Sequence, residues 1–483
     1  MPAPTGNAPN RTEQIGAGSG WPGRRGSWAF FGLIGLVFLW ICTDGTWRPW
    51  ARQDFGDIYD HLAISLVDGR LDLPAEVIGG EAFVVEGKYY GYWAPFPALL
   101  RVPLVLTGRT YWVGHTARLM CWLAAMLSVY AAGRIVGELQ TLYGWPCRRA
   151  GFWWCYWAAL ALGTHLPYLL AGTSVYHEAV LWGTATALGA LQLGLGFLNT
   201  RRWIQLVGAV LLAGASASTR ATTGYGALIG TTGLVGLYWW NNRRGRSGVT
   251  GRSVGGRVLL LAGLTVVMGL LPLGYNYVRF GSFVRLPYEK HPNIEPWRLE
   301  ITRHGNFQAV NLVPNARSYF DPSQLDVRPG FPYFHLAAYQ PKPGSRLEHA
   351  EAYAGIPAFM TGLCVLAVLG LYGIRRDRQV GLLLVGGGAT LLSLLAFTAI
   401  AHRYEHDLFP LLVLLSGTGA LWLGQRQGPL PALAQALMAL LLVVGIWQSL
   451  SFAHFELKWA RAWSAQNSPR IDATPVTGPG GRP

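Results

Sequence analysis

Five ionisable side chains crowd one short turn late in the chain. His402, Arg403, Glu405, His406 and Asp407 lie between two apolar runs, and Pro410 opens the second run. Charges at a membrane edge are costly unless they are paired or used. An arginine placed there can hold a phosphate through two parallel hydrogen bonds and never loses its charge. His402, His406 and Asp407 are metal-ligand types, but the two histidines would need a helical turn to converge. No other outer cluster offers a partner at a clear spacing. No cofactor is therefore expected, and a divalent metal is not indicated.

A second group of acids begins the segment 53–73. Asp54, Asp57 and Asp60 recur every three residues, followed by the apolar set Ile58, Leu62, Ile64, Leu66 and Leu71. That pattern predicts a short amphipathic helix on the membrane surface, ended by Gly69. Acids in a first turn stabilise a helix by meeting its positive end, which accounts for them without any chemistry. A carboxylate pushed toward lipid also has its pKa raised, which suits it to take a proton from a hydroxyl. Asp57 and Asp60 are the candidate bases.

Further along, Glu86-Gly87-Lys88 predicts a turn between two short strands, or between a strand and a helix. Tyr89, Tyr90, Tyr92 and Trp93 form an aromatic belt at headgroup level. Lys88 stands among these rings, where it suits a lipid phosphate. Pro95, Pro97 and Pro103 mark an irregular, partly re-entrant element. His177 and Glu178 open a helix between two apolar runs. Arg220 sits among Ser216, Ser218, Thr219, Thr222 and Thr223, where it either snorkels to water or, with those hydroxyls, holds an anion. Arg279 ends an apolar run at the interface, with Asn276 capping the helix end.

The elements that position these groups follow from composition. Of 483 residues, 51% are hydrophobic and 13% charged, against about 25% charged in soluble domains. Mean hydropathy is +0.26, and several apolar stretches exceed the roughly 20 residues that cross a bilayer core. A soluble enzyme, a disordered scaffold and a single-span receptor are excluded. The expected fold is an all-α polytopic bundle of about eleven transmembrane helices, near 28–43, 112–135, 151–171, 176–198, 203–218, 222–240, 258–277, 353–373, 380–400, 408–424 and 431–453. The module 28–453 is flanked by disordered tails, 1–27 and 454–483. Its long loops, 44–111 and 278–352, carry short amphipathic helices.

Lys and Arg number 39 against 24 Asp and Glu, a net +15, and the arginines cluster in short connections on one side. The positive-inside rule accounts for this charge without nucleic acid. It places the N-terminus in the cytoplasm and the C-terminus and both long loops outside. The cytoplasmic connections are too short for a nucleotide-binding fold, and no Gly-rich phosphate loop occurs. The five cysteines, 42, 121, 147, 155 and 364, avoid the long loops and offer no disulfide framework.

The stretches 56–73 and 87–100 resemble the first outer loop of GT-C glycosyltransferases, the polyprenyl-phosphate-sugar-dependent membrane enzymes of the protein-mannosyltransferase and aminoarabinose-transferase type. They are similar more narrowly to a bacterial branch of these enzymes. In that superfamily an acid follows the first span, ahead of a Tyr and a small-residue helix ending in Gly. Asp57, before Tyr59 and Gly69, matches it best. The usual adjacent pair of acids is absent, so Asp57 and Asp60 both stay open. Tyr176-His177-Glu178, Tyr275-Asn276 with Arg279-Phe280-Gly281, and Arg403-Tyr404 with Asp407 and Pro410 resemble the same branch.

The resemblance implies an inverting transferase in the inner membrane of a bacterium. It would move a sugar from a polyprenyl-phosphate donor to an outer glycan, lipid or protein acceptor. Asp57 or Asp60 would serve as base, and Arg403 would hold the phosphate, supported by Arg220 and Lys88. Tyr89, Tyr90, His177, Glu178, Arg279, His402 and Asp407 complete the expected substrate-binding set. The alternatives are a transporter or flippase using the same charges as a pathway, or a non-catalytic assembly subunit. No internal repeat supports the transporter.

Overall fold

The computed structural model describes residues 24–467 apart from 54, 109, 147, 245–251 and 376. Most of the two expected tails, and Asp54, lie outside the described residues.

Each apolar run predicted as a span coincides with a helix or a helix pair. The first is α1 (Arg24–Cys42). The long loop that follows carries α2 (Ile58–Val67), α3 (Ala75–Ile78), α4 (Phe96–Leu99) and α5 (Val102–Gly108). Next come α6 (Ala117–Tyr143), the broken pair α7 (Ala150–Leu162) and α8 (Leu166–Gly172), α9 (Val175–Thr200), α10 (Trp203–Ala217), α11 (Ala221–Arg243) and α12 (Arg252–Phe280). The second long loop holds α13 (Pro296–Thr302), α14 (Leu312–Tyr319) and α15 (Ile356–Phe359). The chain closes with α16 (Thr361–Ile374), α17 (Arg378–Ala396), α18 (Phe409–Gly424) and α19 (Pro429–Asn467). Among the described residues six helical segments are long and apolar enough to cross a bilayer by length and composition, one of them the turn from His402 continued into α18.

In lipid the helices gain little from apolar burial against one another, so close backbone approach matters more. At the α16–α18 crossing, a Cβ on Gly370 would stand 1.8 Å from the Leu415 carbonyl oxygen, and one on Gly419 would stand 1.9 Å from that of Leu366. Only glycine fits either position. Helices α6 and α9 lie at the centre, α10, α11 and α17 pack outward from them, and α19 runs along α7 and α8. Helix α12 touches α10 and α11 along one edge and leaves most of its apolar surface exposed.

Three short two-stranded ribbons decorate the loops. The strands β1 (Phe83–Val85) and β2 (Lys88–Tyr90) pair antiparallel, with Val85 opposite Lys88. Glu86 and Gly87 between them both have positive φ, 51° and 75°, the backbone of a tight hairpin turn. The second loop forms the ribbon β3 (Asp326–Val327) with β4 (Phe334–His335), and its end β5 (His349–Ala350) runs parallel to β6 (Ala399–Ile400). Loop 278–352 is thus pinned to the connection that leads into the charged turn.

Two expectations on this framework change. Helix α19 does not stop at 453 but continues to Asn467. Its extension meets the second long loop, where Phe331 packs on His454 and His335 on Phe455, with ring centroids 5.8 and 5.9 Å apart. The end of α12 is not a free interfacial edge, because Arg279 is buried at 5% exposure. Asn276 caps that end by donating to the Ser282 carbonyl at 2.8 Å.

Candidate functional site

A cavity of about 1300 Å³ lies beneath the two long loops. Its wall is assembled from the end of α12, the α10–α11 junction, the start of α9, the charged turn His402–Leu408, and the C-terminal part of α19. The first long loop supplies Glu81, Tyr92 and Trp93, and the second supplies Arg298, Glu348 and Glu351.

Four guanidinium groups line this cavity, from Arg220, Arg279, Arg298 and Arg403. Three are matched by carboxylates. Arg220 donates to Asp407 at 2.7 Å, and Thr222 donates to the other Asp407 oxygen at 2.6 Å. Arg298 reaches Glu348 at 2.8 Å. Arg403 pairs with Glu351 rather than with its sequence neighbours Glu405 or Asp407. Burial alone would raise the Glu351 pKa, but Arg403 and His349 outweigh it and hold that carboxyl down to about 2. The Tyr404 ring lies between two cations, with the Arg220 guanidinium 4.7 Å and that of Arg403 4.9 Å from its centroid.

Arg279 differs. It donates to the carbonyl oxygens of Gly91 and Trp93, and its guanidinium lies 4.0 Å from the Tyr275 ring centroid. Its Nε has no hydrogen-bond partner, and no carboxylate pairs with it among the described residues. A buried guanidinium without a counter-charge is costly, and an anion on this wall would offset that cost.

The residues expected from sequence divide accordingly. His177, Arg220, Arg279 and Arg403 line the cavity together. Asp407 stands behind it as the partner of Arg220. Asp60 faces elsewhere: at 3% exposure it accepts from Arg101 at 2.6 Å, from the Gly114 amide at 2.8 Å and from the Thr116 hydroxyl. Glu178 is fully buried and is held by the same Arg101. Asp57 begins α2 with its side chain 38% exposed, 3.9 Å from His61, and burial of its remainder raises its pKa. It is not among the lining side chains. Lys88 and Tyr89 are exposed on β2, and Tyr90 packs on Phe280 at 5.9 Å. His402 lies behind the wall, its ring 4.9 Å from Tyr168.

Several of the paired or cavity-lining groups escape a reading of local pattern. Arg101 had one signal, since it is a lone charge in the apolar run between Pro97 and Pro103. Glu81, Arg298, Glu351 and His165 carry no local signal and acquire their roles only through distant partners.

No protein-family model matches the chain, and no curated protein matches it. Among solved structures it is similar to the apo oligosaccharyltransferase of Archaeoglobus fulgidus, with 11% identity and a TM-score of 0.48 over 93% of this chain and 59% of that one. It is also similar to ArnT from Cupriavidus metallidurans bound to undecaprenyl phosphate, with 14% identity and a TM-score of 0.48 over 92% of this chain and 80% of that one. A third is the archaeal oligosaccharyltransferase AglB in complex with an inhibitory peptide and a dolichol-phosphate. There the identity is 11% and the TM-score 0.45, over 92% of this chain and 58% of that one. The chain therefore spans less than two thirds of the archaeal enzymes' length.

Proposed function

We propose that this membrane protein is a GT-C-type glycosyltransferase that takes a sugar from a polyprenyl-phosphate donor on the outer face of the membrane. The observation that carries the reading is Arg279, buried on the wall of the cavity without a carboxylate partner. Arg220 and Arg403 face the same cavity, already oriented by Asp407 and Glu351. A phosphate there would satisfy Arg279 and draw on charges that need no reorganisation. The donor's lipid tail would lie along the exposed apolar face of α12.

The reaction would be a single displacement. The acceptor hydroxyl oxygen bonds to the anomeric carbon, the bond from that carbon to the phosphate oxygen breaks, and the hydroxyl proton passes to a carboxylate. The leaving lipid phosphate keeps its negative charge beside the arginines. Asp60 is committed to Arg101 and Asp57 sits off the wall. Glu81, a first-loop acid on the cavity, is the better-placed proton acceptor. It has no ion pair among the described residues.

Purified protein in proteoliposomes, given polyprenyl-phosphate sugars of differing headgroup and a cell-envelope extract as the source of acceptor hydroxyls, should release polyprenyl phosphate from at least one. Donor that crosses the bilayer unconsumed would favour a flippase instead. The orientation is testable apart from chemistry. In intact cells, Asp321→Cys should react with an impermeant thiol reagent and Arg244→Cys should not; the reverse would place the cavity on the wrong side.

A further inference from the structure

A second polar cluster lies outside the cavity, where the span formed by α7 and α8 breaks. His165 occupies the break between those helices, and His402, Glu405 and His406 come from the charged turn. All four are buried, at 2%, 0%, 1% and 0% exposure. His165 Nε2 lies 2.9 Å and His402 Nδ1 3.6 Å from the same Glu405 oxygen, Oε2. One ligand atom from each of these three residues falls within 4.8 Å of the other two.

The contact of His165 Nε2 with Glu405 Oε2 has hydrogen-bond geometry, but among the described residues the rest of the cluster is unsatisfied. Both ring nitrogens of His402, both of His406 and Oε1 of Glu405 are buried with no partner. Buried polar groups nearly always have partners, and exceptions point to an ion or ordered water. A carboxylate shared by two imidazoles is also a donor set for a borderline divalent ion. In a tetrahedral zinc site, bonds of about 2.0–2.1 Å put neighbouring ligand atoms about 3.3 Å apart. The two separations to Glu405, 2.9 and 3.6 Å, bracket that figure.

The surroundings suit a closed site. Phe359 packs on His165 and His402 at 4.9 and 5.1 Å, Phe452 on His402 at 5.3 Å, and Tyr168 on His402 at 4.9 Å. Such an apolar shell fixes ligand orientation and restricts access of bulk solvent.

We infer that His165, His402 and Glu405 bind a divalent transition-metal ion of the zinc class, a structural site that ties the α7–α8 break to the turn carrying Arg403 and Asp407. The fourth position falls to His406 or to a water. The ion would neutralise Glu405 and satisfy His402, and it would hold the turn rigid without touching the substrate.

The test uses full-length protein purified without chelator and with any His-tag removed. Elemental analysis should find one zinc-class ion per chain. Stripping with 1,10-phenanthroline should lower the melting temperature, and added zinc should restore it. Cobalt substitution should give the visible bands of a tetrahedral site, whether or not any variant folds. Glu405→Gln and His165→Gln should each lose the ion at equal protein recovery. Protein that is metal-free as purified, melts the same with and without zinc, and gives no cobalt bands would overturn the assignment. So would an ion retained undiminished in both variants.

Discussion

Arg101 holds Glu178 through two parallel hydrogen bonds of 2.7 and 2.9 Å across 77 residues of sequence. The same guanidinium donates to Asp60, so one cation serves two buried acids from different elements. The pairing fastens the first long loop to the start of α9, beside the cavity wall at Tyr176 and His177. It also commits Asp60 and Glu178, both expected from the sequence at a substrate site, to a shared buried cation.

Removing Arg101 would strand both carboxylates. Loss of one partner from a buried pair costs about 3–5 kcal/mol, so Arg101→Ala should melt far below wild type or fail to accumulate. Asp60→Asn keeps the shape and much of the hydrogen bonding, and should be milder. Melting curves in detergent decide this. An Arg101→Ala protein as stable as wild type would mean the clamp is ornamental.

The proton acceptor separates Glu81 from Asp57. Glu81→Gln should reduce turnover by about 10² to 10⁴, the range for positioned general bases, with donor binding intact. Asp57→Asn should stay within a few fold of wild type. Initial rates with a consumed donor measure both. The opposite ranking would return the role to Asp57, whose burial-raised pKa also suits a base.

Acid pH provides a check on the Arg403–Glu351 pair. The folded carboxyl is held down at about 2 against an ordinary 4.5. The stabilisation is therefore complete above about pH 4.5 and is lost as pH falls through about 2. The melting-temperature gap between wild type and Glu351→Gln should be widest near neutrality and shrink on acidification through that window. A gap independent of pH would show that the pair does not stabilise the fold through charge.

Much of the framework is legible in sequence because it is local. The apolar runs, the helix 58–67 ended by Gly69, and the hairpin at Glu86-Gly87 follow from hydropathy, periodicity and turn chemistry over a dozen residues or fewer. Arg220, Arg279 and Arg403 stand out because each is a rare charge at membrane depth. Their partners do not. Glu351 reaches Arg403 across 52 positions and His165 reaches Glu405 across 240, and no local period encodes such pairings. Lys88 stands apart from these arginines: it is exposed on the hairpin and is not among the side chains that line the cavity.

The most direct test asks whether Arg279 binds the phosphate of a lipid carrier. Native mass spectrometry of the detergent-solubilised protein, titrated with polyprenyl phosphate, measures retention of the lipid. Wild type should retain one polyprenyl phosphate. Arg279→Gln should retain markedly less while melting close to wild type, because the substitution leaves no carboxylate unpaired. An uncharged polyprenol should bind both proteins equally weakly. If Arg279→Gln holds polyprenyl phosphate as tightly as wild type, or wild type does not distinguish the phosphate from the alcohol, the cavity is not a lipid-phosphate site and the proposed transferase activity is contradicted.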